Sequence, residues 1–247
     1  DGRTWESVAL LEWDGGDLRD PKLAITPAGQ LVLNGAARLP APDGDDRHQS
    51  VTWLSADGRA WGAPRVCPDE VGTWRWGVSW QGPTGYSFGY GGRDAGSTLY
   101  RTQDGQRWEP VARDVFPPGR AVAASLAFLD GGRAYCLLCR DPHTCFPAVA
   151  ALGSAHPPYQ HWTWIDLQLR MGAPKLVHLP AEERLVATVR LYHPVRTALC
   201  EIEPLSCRLT RVGALAETSW RAAEIVPLPS AGDTGYAGMV ARDGHLF

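Results

Sequence analysis

The chain has 247 residues, of which 44% are hydrophobic and 21% charged, a balance typical of a globular domain. Its net charge of −3 gives no electrostatic basis for binding nucleic acid, and no apolar run approaches the ~20 residues that a membrane-spanning helix needs. Eleven tryptophans, 27 glycines and 20 prolines against two methionines indicate many short strands and tight turns. No linker divides the chain, so residues 1–247 are predicted to form one domain.

Short alternating runs between Gly, Pro and Asp turns predict strands throughout, and few stretches have the apolar spacing of a helix. In chain order the predicted strands are 23–26, 30–35, 49–55, 85–90, 97–101, 121–129, 134–140, 147–152, 174–179, 184–191, 197–202, 207–212 and 221–228.

One turn motif, hydroxyl-x-Asp-Gly-x-x-Trp, occurs at residues 55–61 and 102–108, and residues 1–5 read as the end of a third copy. The motif predicts a turn in which the Asp carboxylate accepts backbone N–H bonds, the Gly supplies a positive φ and the Trp covers the turn. Asp1, Asp57 and Asp104 lie 56 and 47 residues apart, close to the period of a four-stranded propeller blade.

A degenerate copy without the Asp, residues 153–162, follows about one period later. Four complete units with a partial unit at each end predict an all-β propeller with five or six blades. Because the chain begins inside a turn motif, we interpret it as a fragment, incomplete at both ends and without its true N-terminus. Its localisation is therefore not fixed by the sequence; a secreted or periplasmic bacterial protein is one interpretation.

Six cysteines are present: Cys67, Cys136, Cys139, Cys145, Cys200 and Cys207. Cys136 and Cys139 have the spacing of half a zinc site, but they fall in a predicted strand, where residues three apart point to opposite faces. A zinc site is therefore disfavoured, since the second Cys pair is absent. Cys200 and Cys207 can form a disulfide in an oxidising compartment or serve as small apolar residues.

Several segments, together with the turns, resemble the Asp-box (BNR-repeat) sialidase superfamily, and in particular a bacterial exo-α-sialidase-like branch. Its commonest box has one more residue between Asp and Gly. The matching segments follow the expected order over nearly the whole chain: 18–23, 74–90, 157–164, 172–175 and 228–236. This resemblance implies a six-bladed β-propeller and a glycoside hydrolase that removes a terminal acidic sugar with retention of configuration.

Sialidases hold the sugar carboxylate with three Arg and use a Tyr nucleophile assisted by a Glu, with an Asp as acid/base. A neutral phenol avoids the repulsion that a carboxylate nucleophile would meet, and the planar Arg fork suits a carboxylate. The resemblance places Arg19 as the first clamp residue; the alternative is a surface Arg in a turn. Arg140 and Arg190 each end an apolar strand and face either the central funnel or solvent.

The resemblance makes Tyr236 the candidate nucleophile, with Asp20 and Asp233 competing for the acid/base role. Each has a structural alternative: Tyr236 as a packing residue and the two Asp as turn caps. Sugar contacts are expected from other residues, which can equally be packing or surface residues: His48, Gln49, Trp76 and Lys175. Trp74, Trp76 and Trp80 alternate on one strand face, which is usually core packing.

The sequence also departs from the family. Residues 121–128 contain no Glu where relatives carry the one that activates the Tyr, and Gly77 stands where they tend to have Arg. Losing such a base costs roughly 10²–10⁴-fold in rate, unless another carboxylate such as Glu224 replaces it.

The function hypotheses are therefore a sialidase-like glycosidase, a carbohydrate-binding propeller that has lost catalysis, or a protein-interaction propeller. The expected partner is a glycan or small acidic sugar, without nucleic acid, membrane span, cofactor or metal; the sequence does not indicate an oligomeric state.

Overall fold

The protein is an all-β propeller, and the residues that the structure describes form four blades. The computed structural model describes residues 4–40, 47–66, 72–91, 96–116, 121–140, 142–143, 146–204, 220–242 and 244–247. Within those ranges the only helical segment is a 3-10 turn, Pro180–Glu182. Four antiparallel sheets follow each other along the chain, and a two-stranded hairpin comes last. The all-β prediction is confirmed, and the described residues form four blades, whereas the sequence predicted five or six.

Each blade is a meander of strands in sequence order. Blade I contains β1 (Asp17–Ile25), β2 (Leu31–Arg38), β3 (His48–Ser55) and β4 (Arg65–Val66). Blade II begins with a divided strand, β5 (Trp74–Arg75) and β6 (Ser79–Gln81), and continues with β7 (Thr84–Tyr90), β8 (Ser97–Thr102) and β9 (Glu109–Phe116).

Blade III contains β10 (Ala121–Phe128), β11 (Ala134–Arg140), β12 (Ala151–Ala155) and β13 (Thr163–Asp166). Blade IV contains β14 (Met171–Leu179), β15 (Arg184–Tyr192), β16 (Val195–Pro204) and β17 (Trp220–Leu228), and the hairpin is β18 (Ala241–Arg242) and β19 (His245–Leu246). The strand predicted at 147–152 is wrong in position, because pairing starts at Ala151. The strand predicted at 207–212 lies outside the described residues.

Buried polar groups connect neighbouring blades. Asn34 of blade I donates from Nδ2 to the Arg75 carbonyl of blade II at 2.8 Å. The Ser79 hydroxyl of blade II donates to the Leu126 carbonyl of blade III at 2.7 Å. Blade IV donates the Leu176 N–H to Ser125 Oγ of blade III at 2.9 Å. These bonds fix the blades against each other, because an unpaired buried donor would be costly.

The two motif turns have the predicted chemistry. In the first, Asp57 Oδ1 accepts the N–H groups of Arg59 and Ala60 at 2.8 and 2.9 Å, and Trp61 Nε1 donates to the Gly58 carbonyl at 3.0 Å. These backbone hydrogen bonds lower the pKa of Asp57. In the second, Asp104 accepts two N–H groups at 2.8 Å, and the turn glycines of both copies have φ 76°. Of the copy at the N-terminus, residues 1–3 lie outside the described residues.

The degenerate third turn keeps the geometry without the Asp. Tyr159 occupies the position of the turn glycine at φ 64°, and Trp162 Nε1 donates to its carbonyl at 3.0 Å. Tyr159 tolerates this uncommon conformation because its ring is buried against Tyr86 and Phe128 and its hydroxyl donates to the Gly132 carbonyl. Packing therefore replaces the carboxylate in this turn.

The cysteines that the structure describes are core residues. Cys136 and Cys139 pack on opposite faces of β11, in two different hydrophobic clusters, as their spacing predicts. Burial raises the pKa of both thiols, and it raises that of Cys200 to about 11. Cys67, Cys145 and Cys207 lie outside the described residues. The described part of the chain contains no group of three metal-ligating residues, and none of its helical segments has the length and hydrophobicity to cross a bilayer.

Candidate active site

The first strands of blades I and IV contain the same irregularity. In β1 the register shifts between Arg19 and Lys22, and in β14 it shifts between Gly172 and Lys175. In each bulge a residue with positive φ is followed by Pro and then Lys: Asp20 at 50° and Ala173 at 48° begin the two sequences. A proline has no N–H for the ladder, so it is compatible with a bulge. The matching bulges present Lys22 and Lys175 at corresponding positions of the two strands.

The segment that follows β17 returns to the start of blade IV. The Arg190 guanidinium donates to the Thr234 carbonyl and pairs with Asp233, and it lies 5.2 Å from the Tyr236 ring centroid. Gly235 allows the backbone of this segment to lie close to Ala173 and Arg190. It has φ 109°, and a Cβ there would lie 3.1 Å from Ala173 Cβ and 3.3 Å from Arg190 Cβ.

Four stacked rings lie beside Arg190, and we call them the aromatic wall: Trp74, Trp76, Tyr90 and Tyr236. The Trp76 and Tyr236 rings are stacked with centroids 6.4 Å apart and 3° between their planes. Trp76 also stacks on Trp74 and Tyr90. Lys22 Nζ lies 5.2 Å from the Trp76 centroid and 5.1 Å from that of Tyr236, within cation–π distance of both. Blade I, blade II and the C-terminal segment therefore meet at Lys22.

We call seven residues the axial cluster: Asp20, Lys22, Trp76, Lys175, Arg190, Asp233 and Tyr236. Burial raises the pKa of Asp20, against the opposing charges of Lys22, Arg19 and Arg190, and the Asp233 charge raises it further. Burial also raises the pKa of Tyr236, as does the Asp20 charge, whereas Arg190 lowers it. Asp20 therefore holds a proton more readily than an ordinary Asp, and the Tyr236 phenol is neutral near pH 7.

The two lysines have perturbed pKa values as well. Burial lowers the pKa of Lys175. For Lys22 burial is also the main cause, the Lys175 charge lowers the pKa further, and Asp20 acts in the opposite direction. With Arg190, the cluster holds three cationic side chains against the carboxylates of Asp20 and Asp233, so one negative charge on a ligand would balance it.

The structure brings together some of the residues predicted from the sequence and separates others. Arg190, Tyr236, Asp20, Asp233, Trp76 and Lys175 lie in the axial cluster. Arg19 pairs with Asp17 at 2.6 Å and its side chain is 46% exposed. Arg140 pairs with Asp166 at 2.5 Å and donates to the Val149 carbonyl within blade III. Of the three arginines that the resemblance implies for a clamp, Arg190 alone contacts Tyr236 in the described residues.

The remaining predicted residues lie beside the aromatic wall or away from it. The His48 ring is 4.9 Å from Trp74, and Gln49 is buried and donates to the Ser50 carbonyl. Glu224 forms an ion pair with Arg196 between β16 and β17, and this pair lies outside the axial cluster. Ala123 and Ala124 are buried core residues of β10. Asp20 and Asp233 are the carboxylates whose charges reach Tyr236.

Lys22 is the site residue that the sequence analysis missed. A signal was available, because the Asp20-Pro21-Lys22 and Ala173-Pro174-Lys175 sequences share the same Pro-Lys pair at the start of a unit.

No family model matches this chain, and no curated protein matches it. Solved structures show the fold. A protein of unknown function from Dyadobacter fermentans has a TM-score of 0.60 at 14% identity, covering 76% of this chain and 61% of its own. The GH93 α-L-arabinofuranosidase of Fusarium graminearum, in complex with arabinobiose, has a TM-score of 0.60 at 13% identity. The match covers 97% of this chain and 73% of the arabinofuranosidase. A Hadza microbial sialidase has a TM-score of 0.54 at 13% identity, and the match covers 76% of this chain and 43% of the sialidase.

The structural neighbours with a named activity are thus β-propeller glycoside hydrolases at low identity, of more than one sugar specificity. The chain spans 61% of the length of the Dyadobacter protein and 43% of the length of the sialidase.

Proposed function

We propose that the axial cluster binds a terminal acidic sugar of a glycan and hydrolyses its glycosidic bond with retention of configuration. The observation that carries the proposal is the position of Tyr236. Its ring stacks on the indole of Trp76, lies 5.2 Å from the guanidinium of Arg190 and is within reach of the Asp20 charge. The cationic excess of the cluster favours an acidic over a neutral sugar. The neighbours that hydrolyse glycosides support carbohydrate as the substrate class.

In the proposed reaction Asp20 is the acid/base, because burial raises its pKa and so favours the protonated form more than in an ordinary Asp. It protonates the leaving glycosidic oxygen while the Tyr236 oxygen attacks the anomeric carbon. Asp233, whose charge also reaches the phenol, accepts the phenolic proton. Asp20 then takes a proton from water, whose oxygen attacks the anomeric carbon and displaces Tyr236, and Asp233 returns its proton to the leaving phenolate. Trp76 stacks on the nucleophile and keeps its ring in place.

A second function, binding without hydrolysis, is favoured by the same region. No carboxylate comes from β10, where Ala123 and Ala124 are buried, and Asp233 is already paired with Arg190. A propeller with this arrangement holds an acidic sugar by its cations and aromatic wall and lacks a dedicated base for Tyr236.

Turnover of fluorogenic glycosides separates the two functions. The panel comprises an α-sialoside, a β-glucuronide and an α-L-arabinofuranoside, tested with wild type, Tyr236→Phe and Asp20→Asn. Hydrolysis requires a fall of about 10²–10⁴-fold in kcat for either variant. The matched control is Tyr86→Phe, because Tyr86 packs on Phe128 and Tyr159 in another cluster. Sugar binding by all variants without turnover identifies the binding function, and neither binding nor turnover overturns both.

A further inference from the structure

The chain contains only two lysines, and both lie near the segment that contains Tyr236. Lys22 Nζ is 5.1 Å from the Tyr236 ring centroid, and Lys175 lies two residues after Ala173, whose Cβ would be 3.1 Å from a Cβ on Gly235. The charge of Lys175 also reaches Lys22. Of its 24 basic residues 22 are arginines, and the lysines are Lys22 and Lys175. Each directly follows a proline in the bulge of a first strand, one in blade I and one in blade IV. Arginine thus supplies every other basic position of the chain. The use of lysine at these two matched positions calls for a property that arginine lacks.

Neither ammonium group makes a hydrogen bond or an ion pair with the residues that the structure describes. No hydrogen bond or ion pair of the described residues involves Lys22 or Lys175. Arginines elsewhere are paired, for example Arg184 with Glu201 and Arg196 with Glu224. Both lysines are half-buried, and Lys22 Nζ lies against the faces of Trp76 and Tyr236. Two partly desolvated cations that repel each other are stabilised when an anion lies between them.

The chemistry of lysine determines which anion suits such a pair. An ammonium group is a compact point charge with three rotatable donors, so it accepts a tetrahedral or a planar oxyanion in several orientations. The guanidinium of Arg190 has a fixed planar fork, and that fork is already engaged by Asp233 and the Thr234 carbonyl. The group that a ligand presents to the cluster therefore meets the lysines.

We propose that Lys22 and Lys175 form a two-lysine subsite for one compact oxyanion on the sugar, a sulfate ester or a carboxylate. The subsite deepens the proposed function and rests on it in one respect, namely that a sugar carries the anion. It replaces the three-arginine clamp by two ammonium groups from blades I and IV.

The presence of only two lysines makes a direct test possible. Protein labelled with ¹³C at lysine Cε gives two lysine side-chain NMR signals, assigned with Lys22→Arg and Lys175→Arg. The wild type is titrated with galactose 6-sulfate, galacturonate and galactose. Both signals are expected to shift, with one common Kd, for an acidic sugar and not for galactose. Shifts with galactose 6-sulfate alone identify a sulfate ester, shifts with galacturonate alone identify a carboxylate, and shifts with both establish the shared oxyanion chemistry.

The proposal is overturned if neither signal moves with the acidic sugars or if galactose moves them equally. Because this titration uses the wild type, it does not depend on the folding of a variant. Lys22→Met and Lys175→Met should each raise the Kd of the acidic sugar at least tenfold, since a charged hydrogen bond is lost. Arg101→Met, which removes the exposed Arg101–Glu109 pair of blade II, is the matched control and should leave it unchanged.

Failure of the subsite and failure of the proposed function give different results. If the lysine signals shift but no fluorogenic glycoside is hydrolysed, the subsite stands and hydrolysis fails. If an acidic glycoside is hydrolysed and the double variant of both lysines to Met keeps its KM, hydrolysis stands and the subsite fails.

Discussion

The ring of Tyr236 lies parallel to that of Trp76, 6.4 Å away and 3° from coplanar. The two residues are 160 positions apart in the sequence, one in blade II and one beyond blade IV. This contact holds the C-terminal segment against the blades, and it links the stability of the propeller to the position of the candidate nucleophile.

Trp76 should therefore contribute to both stability and binding. Trp76 is 4% exposed, so Trp76→Ala is expected to lower the free energy of unfolding by about 3–5 kcal/mol. Trp76→Phe keeps a ring on Tyr236 and should cost less. Urea denaturation measures both, with Trp5→Ala as the control because Trp5 is 90% exposed. Equal stability of Trp76→Ala and wild type would contradict the packing role.

Asp20→Asn should stabilise the protein near pH 7 while it lowers kcat by about 10²–10⁴-fold. The folded-state pKa of Asp20 is raised, chiefly by burial, so the folded state binds its proton more tightly than the unfolded state does. The ionised carboxylate then costs stability above the usual Asp pKa. The gain from Asp20→Asn is expected at neutral pH and should disappear as the pH falls below the ordinary Asp value. Denaturation at several pH values tests this, and a gain that persists in acid would refute it.

The affinity for an oxyanion should fall at alkaline pH earlier than a free lysine would predict. Burial lowers the pKa of Lys22 and Lys175, so both lose their charge below the ordinary value of 10.5. Below the lowered pKa values both are cationic and binding is complete. Measuring the Kd of the acidic sugar between neutral pH and that value by calorimetry checks the prediction. Lys22→Arg should remove part of the pH dependence, since a guanidinium keeps its charge.

Gly235→Ala should disrupt the site more than an equal change at another left-handed glycine. Gly235 has φ 109° and a new Cβ would meet Ala173 and Arg190, whereas Gly29 has φ 80° with nothing within 4 Å. Gly29→Ala therefore reports the cost of the backbone conformation alone, about 1 kcal/mol. Gly235→Ala adds steric displacement of Arg190 and should weaken acidic-sugar binding, which Gly29→Ala should not do. Equal effects of the two variants on affinity would rule out a close approach at Gly235.

Local sequence signals predicted much of the fold. The strands at 49–55, 97–101 and 134–140 were placed within one residue of β3, β8 and β11, because alternating apolar residues end at clear turn residues. The Asp57 and Asp104 turns form as their residues indicate, since every group in them lies within a few positions. The sequence predicts β1 and β14 too short, at 23–26 and 174–179. The bulges at Asp20 and Ala173 interrupt the alternation of apolar and polar residues on which the prediction depends.

The candidate site was less accessible to such reasoning. A strand that ends in Arg predicts neither the direction of its side chain nor its partner. Arg140 and Arg190 follow similar apolar runs, yet Arg140 pairs with Asp166 of its own blade, and Arg190 pairs with Asp233 beyond blade IV. The two lysines look unrelated in the sequence, 153 positions apart, yet in the folded chain the charge of Lys175 reaches Lys22.

The sequence by itself determined the all-β class, the repeat and the turn chemistry, because these depend on the φ preferences, side-chain alternation and short-range hydrogen bonds of neighbouring residues. Tertiary structure alone decided which charges share the axial cluster. Residues of different blades come within Coulomb range only when those blades pack, and burial then shifts their pKa values in ways that no local pattern encodes.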